Sequence, residues 1–194
     1  MPIEKAIRCY LCGQQLTSPT SVDHVPPRQL YTKEIRKSHS PNLLTIEVHK
    51  DCNTSFQYDE DYFVNTIAPF ALGSYAGTSL LREIFAKYED GQKQGLVHKV
   101  LTEFQKMPGG IRLPPELVAK KFEGHRVHRV AWKIVRGLYF HELGEVLPED
   151  TPNSLQISSP DKPPPEEFLH ALYDAPSRGS YPGVLTINTS HSLN

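Results

Sequence analysis

The chain predicts an α+β protein: a small metal-stapled module at the N-terminus, a mainly α-helical region, and a Pro-rich C-terminal tail. Three observations carry this. All three cysteines fall at positions 9, 12 and 52, within the first quarter of 194 residues. Val127, Val130, Ala131, Ile134, Val135 and Leu138 recur at the spacing of an amphipathic helix. From Pro148 onward the composition turns to Pro, Ser and Asp. The boundaries are 1–63 for the module, 64–147 for the helical region and 148–194 for the tail.

In the module, residues 43–48 (Leu-Leu-Thr-Ile-Glu-Val) are β-prone and turn residues surround them. In the helical region the long stripe should end at Gly144 and Pro148, and shorter helices are expected over 78–88 and 96–106. Met107-Pro108-Gly109-Gly110 is a turn. The triplet Pro163-Pro164-Pro165 cannot continue a helix, so the tail is expected to be loosely packed. A short helix over 166–173 and an edge strand over 184–187 are its expected elements.

Hydrophobic content of 38% and charged content of 22% are those of a soluble globular chain. No apolar run approaches the roughly 18 residues of a membrane span, so no membrane contact is expected. Met1-Pro2-Ile3-Glu4-Lys5 lacks a signal peptide's apolar core, and the cytoplasm is the expected location. A net charge of −1 excludes a uniformly basic protein; contact with nucleic acid would have to come from a local basic surface.

An odd cysteine count in a reducing compartment points away from disulfides and toward a metal. In Cys9-Tyr10-Leu11-Cys12-Gly13 two thiolates reach one ion if the backbone between them turns tightly, and the glycine permits that turn. His49-Lys50-Asp51-Cys52 repeats the two-residue gap. Together they make one Cys3His tetrahedron for Zn²⁺, a closed structural site. The other reading is two chance cysteine pockets beside an exposed His49. Zinc would also stabilise a segment too short to bury much apolar surface alone.

Between the pairs lie Val22-Asp23-His24-Val25-Pro26-Pro27 and Ser40-Pro41-Asn42-Leu43-Leu44, and Asn53 follows Cys52. An acidic residue and His, then Asn-Leu before the second zinc pair, then Asn after its last cysteine, resembles the HNH endonuclease superfamily over about residues 9–63. The resemblance implies a ββα-metal fold, a hairpin and helix around one catalytic divalent metal, with zinc clamping the ends. It implies a metal-dependent endonuclease that hydrolyses DNA. A non-catalytic zinc module binding nucleic acid or protein, and an RNA-cleaving toxin, are the alternatives. Asn42 to His49 is longer than the family's compact stretch, and Phe56 stands where the closing helix often carries Lys.

The chemistry gives each residue a role. Phosphodiester cleavage needs an activated water, a cation at the phosphorane and a proton for the leaving oxygen. Neutral His24 suits the general base. Asp23 suits a hard ligand for Mg²⁺ or Mn²⁺, joined by Asn53. By analogy Asn42 steadies the His24 imidazole. Neighbouring strand residues face opposite ways, so a bend near Pro26 and Pro27 must bring Asp23 and His24 to one phosphate. Each has a structural reading too: Asp23 a turn or cap, His24 a packed histidine, Asn42 an Asx turn, Asn53 a helix cap. The acids in Asp59-Glu60-Asp61-Tyr62-Phe63 suit a solvated helix start, with Asp59 the one placed to add a metal ligand.

Arg126, Arg129, Lys133 and Arg136 share one helix face, which either follows a phosphate backbone or is an ordinary solvated face. Lys33, Arg36 and Lys37 form a second candidate patch. DNA is the expected partner, RNA the alternative, and oligomeric state is not legible in the sequence.

Overall fold

Strand alternation and one long helix set the architecture of this computed structural model, which describes residues 7–39, 43–115, 117–153, 155 and 166. The chain divides into two units, 1–149 and 150–194. Everything described below belongs to the first. The tail helix and edge strand expected over 166–173 and 184–187 lie outside the described residues, apart from Glu166.

β1 (Thr20–Val25) and β2 (Leu44–His49) pair antiparallel, with Thr20 opposite His49 and Val25 opposite Leu44. Their side chains alternate: Asp23, Val25, Ile46 and Val48 point into the core, while Val22 and Glu47 lie in solvent. β2 therefore occupies almost the whole stretch whose β-propensity marked it. Between the strands come a 3₁₀ turn at Arg28–Leu30 and α1 (Lys33–His39), a helix that sequence reading missed. α2 (Lys50–Thr54) starts where β2 stops, and α3 (Gln57–Ile67) follows.

α4 (Tyr75–Glu89) begins three residues before its expected start. Its true N-cap is Ser74, whose Oγ accepts the Gly77 N–H at 3.0 Å. Gly77 is required here, since a Cβ would fall 2.0 Å from the Ala71 carbonyl oxygen. α5 (Gln94–Thr102) ends before the expected Lys106 because β3 (Phe104–Gln105) leaves the helix to pair with β4 (Ala119–Lys120). The Met107–Gly110 turn forms, with Gly109 and Gly110 at positive φ.

α6 (Gly124–Leu143) is the central element. Its stripe of Val127, Val130, Ala131, Ile134 and Val135 is buried as the periodicity predicts, and Gly144 ends it in the left-handed conformation at φ 68°. It packs against α3 along its first half and against β1 near Gly137. A Cβ at Gly137 would lie 2.7 Å from Val25 Cγ2, so glycine lets helix and strand approach. Among the described residues no helix is long and apolar enough to cross a membrane.

Candidate metal centre and candidate active site

The two ligand pairs meet. The ligand atoms of Cys9, Cys12, His49 and Cys52 all lie within 4.8 Å of one another. Gly13, at φ 75°, turns the chain so that its N–H bonds to the Cys9 carbonyl at 2.8 Å. The end of β2 delivers His49, and the first turn of α2 delivers Cys52. His49 Nδ1 faces the sulfurs, 3.3 Å from Cys12 Sγ and 3.9 Å from Cys52 Sγ. Its Nε2 points away from the sulfurs, 3.1 Å from both the Gln15 carbonyl oxygen and the Thr17 backbone nitrogen; with Nδ1 on a metal, Nε2 would carry the ring proton and donate to Gln15. Burial, then the neighbouring Cys12 and Cys9 sulfurs, push the Cys52 thiol up to about 12. Three sulfurs crowded in this way suit a cation that takes them as thiolates. The donor set fits zinc, with four protein ligands and no open position.

The cluster is tied to the rest of the unit from behind. Arg136 Nη2 donates to the carbonyls of Tyr10 and Leu11, inside the Cys9–Cys12 turn, at 2.9 Å each. Its Nε donates to the Leu147 carbonyl at 2.9 Å. The Tyr10 ring stacks on Phe140 with centroids 6.1 Å apart.

β1 passes from this cluster through Asp23 and His24 without the bend that would bring both to one phosphate. Asp23 faces inward and is 3% exposed. Lys133 Nζ donates to its Oδ1 at 2.6 Å, and the Tyr10 hydroxyl donates to its Oδ2. Lys133 also donates to Glu60, and its side chain is 1% exposed. Burial raises the Glu60 carboxyl above its ordinary range, with the Lys133 charge working against that shift. Neither Tyr10, as a donor to Asp23, nor Glu60, as the second acid on Lys133, is legible in the sequence. The signal was faint: a tyrosine inside a metal turn and one acid among three.

His24 faces outward and is half-buried. Partial burial lowers its pKa, and the positive charge of Arg28 lowers it further. Arg36 and Lys133 act in the same direction, while Asp23 opposes them. The imidazole is therefore neutral at neutral pH. Arg28, four residues after His24, went unremarked in the sequence because the turn returning it toward His24 is not a sequence motif.

Asp23 and Asn53, the side chains expected to share a divalent metal, are hydrogen-bonded to other partners. Both Asp23 oxygens are engaged, and Asn53 Nδ2 donates to Ser21 Oγ at 3.1 Å and to the Val22 carbonyl at 3.3 Å. Asn53 clamps α2 to β1 beside the Asp23–His24 pair. The Lys133 ammonium on Asp23 is the contact that stands against Mg²⁺ or Mn²⁺ here; the Asn53 bonds run through Nδ2 and not through the carbonyl oxygen that would ligate a metal. Asn42 lies outside the described residues.

The basic stripe is corrected as well. Arg126 Nε donates to Asp59 Oδ1 at 2.6 Å and Arg129 binds the other Asp59 oxygen. Lys133 and Arg136 are buried. The four cations face the acids of α3 and the carbonyls of the metal turn, so they make no open phosphate track. Asp59 serves these arginines, and its carboxyl sits below the usual range through them, despite burial, the largest single influence, pushing the other way. On α1, Lys33 and Lys37 are exposed and Arg36 is half-buried.

No family model, curated protein or solved structure matches the chain.

Proposed function

We propose that the chain is a zinc-stapled HNH-type module that hydrolyses a nucleic-acid phosphodiester, DNA first, with His24 as general base. The observation that most supports this is His24 itself, a half-exposed imidazole held neutral within electrostatic reach of Arg28 and Arg36. A neutral imidazole can accept a proton from water, and guanidiniums can hold phosphate oxygens in front of it. Lys33 and Lys37 extend the positive surface along α1. Zinc would sit on Cys9, Cys12, His49 and Cys52 and fix the hairpin and α2. Asn53 steadies the strand through the Val22 carbonyl, two residues before His24.

A second reading, a non-catalytic zinc module that binds nucleic acid or protein, is favoured by one observation: Lys133 is lodged at the carboxylate that the family resemblance assigns to a metal. Cleavage assays separate the two. Zinc-loaded wild type and His24→Ala are compared on plasmid DNA and on structured RNA, with and without added Mg²⁺ or Mn²⁺. Wild type should cut, and His24→Ala should be slower by a factor on the order of 10² to 10⁴ at unchanged zinc content. Equal cutting by His24→Ala would remove His24 as the general base, and binding with no cutting by wild type would replace the first reading by the second. Cutting of RNA alone would move the substrate to RNA.

A further inference from the structure

We propose that Lys133 is a built-in cation: its ammonium takes the seat between Asp23 and Glu60 that a divalent metal would otherwise fill, so this pair binds no catalytic metal. The inference deepens the reading of the same strand and rests on it for the role of His24 alone.

The seat is assembled from three directions. β1 supplies Asp23, α3 supplies Glu60, and α6 supplies Lys133 across 110 and 73 residues of sequence. Nζ lies 2.6 Å from Asp23 Oδ1 and is also bonded to Glu60. The Phe56 ring faces the ammonium at 5.2 Å, offering its π-face where a water or a further ligand could have stood. The remaining Asp23 oxygen accepts from the Tyr10 hydroxyl. Each Asp23 oxygen thus already holds a donor, and a divalent ion on Oδ1 would stand against the Lys133 ammonium unless Lys133 withdraws.

Charge and tethering make the substitution self-consistent. Two carboxylates facing each other in the interior need a cation, and an ammonium on α6 is present in every folded molecule at no cost in binding from solution. A divalent ion would be the better charge match and would prefer these hard oxygens. To enter, it would have to leave the ammonium buried and unpaired. Lysine is suited to the task as a compact charge with three donors. Removing the lysine side chain should convert the seat into a metal site, because the two carboxylates remain where they were.

The test uses the full-length, zinc-loaded chain and Mn²⁺ itself as probe, read by electron paramagnetic resonance of the free ion and by calorimetry. Wild type should bind Mn²⁺ no better than its Asp23→Asn variant. Lys133→Ala should gain a Mn²⁺ site at least tenfold tighter than any in wild type, and Lys133→Ala/Asp23→Asn should lose it. Zinc content and circular dichroism establish that each variant is folded. Wild-type Mn²⁺ binding that Asp23→Asn abolishes would overturn the proposal. So would a folded Lys133→Ala that gains no site. If Lys133→Ala does not fold, the wild-type comparison with Asp23→Asn still decides. Neither readout involves cleavage, so a chain that cuts nothing would defeat the nuclease reading and leave this one standing.

Discussion

At the scale of single residues, His24 and Asp23 are neighbours with opposite fates. One inward step along β1 puts Asp23 among Lys133, Tyr10 and Glu60, and one outward step leaves His24 half in solvent near Arg28. The pKa of His24 is lowered by partial burial first and by Arg28 second. Its basic form thus persists below the ordinary 6.5 of histidine. If cleavage depends on that base, the rate should rise with pH to a plateau whose midpoint lies below 6.5, and the limb should vanish from residual His24→Ala activity. Replacing Arg28 by Gln removes a positive charge that opposes protonation, so the midpoint should move up. An NMR titration of the His24 ring in both proteins checks the shift without any substrate; an unchanged midpoint would mean that burial alone sets it.

At the scale of elements, α6 explains why a helix can be read from sequence while its surroundings cannot. The stripe of Val127, Val130, Ala131 and Ile134 identifies the buried face because apolar side chains have one destination. Arg126, Arg129, Lys133 and Arg136 share a spacing too, but a cation has two destinations: solvent, or an acid on a neighbouring element. Asp59 and Glu60 stand in the sequence as acids, but nothing local indicates that α3 lies beside α6. Gly137 carries the other half of the helix's packing, against Val25 and Tyr10. Gly137→Ala would gain helix propensity yet force a Cβ to within 2.7 Å of Val25 Cγ2. Overpacking should win, with a loss of about 1–3 kcal/mol in denaturant unfolding. A more stable variant would mean that Val25 yields easily.

At the scale of the molecule, the metal cluster and the helical core are one mechanical system. Arg136 bonds to the two carbonyls between Cys9 and Cys12, so α6 holds this turn independently of any ion. Elemental analysis should find one zinc per chain, and Cys12→Ser should lose it. Hydrogen exchange should then quicken in β1, β2 and α2, and also in α6 around Arg136. Faster exchange confined to the hairpin would show that the arginine link carries no stability. A purified, chelator-free chain without zinc would end the metal reading.

The sequence by itself determined the elements whose pattern has one physical solution: the Cys3His set, the strand read at 43–48 and formed at 44–49, and the apolar face of α6. Matched ligand spacing and apolar periodicity are local facts, and local chemistry satisfies them. Only the tertiary structure decided what the charged side chains do. Strand alternation set Asp23 inward and His24 outward, and the packing of α6 on α3 and β1 gave Lys133 to Asp23 and Glu60. A buried charge must find an opposite charge wherever the fold puts one. That partner can lie 110 residues away, as Lys133 does from Asp23, and no spacing rule reaches so far.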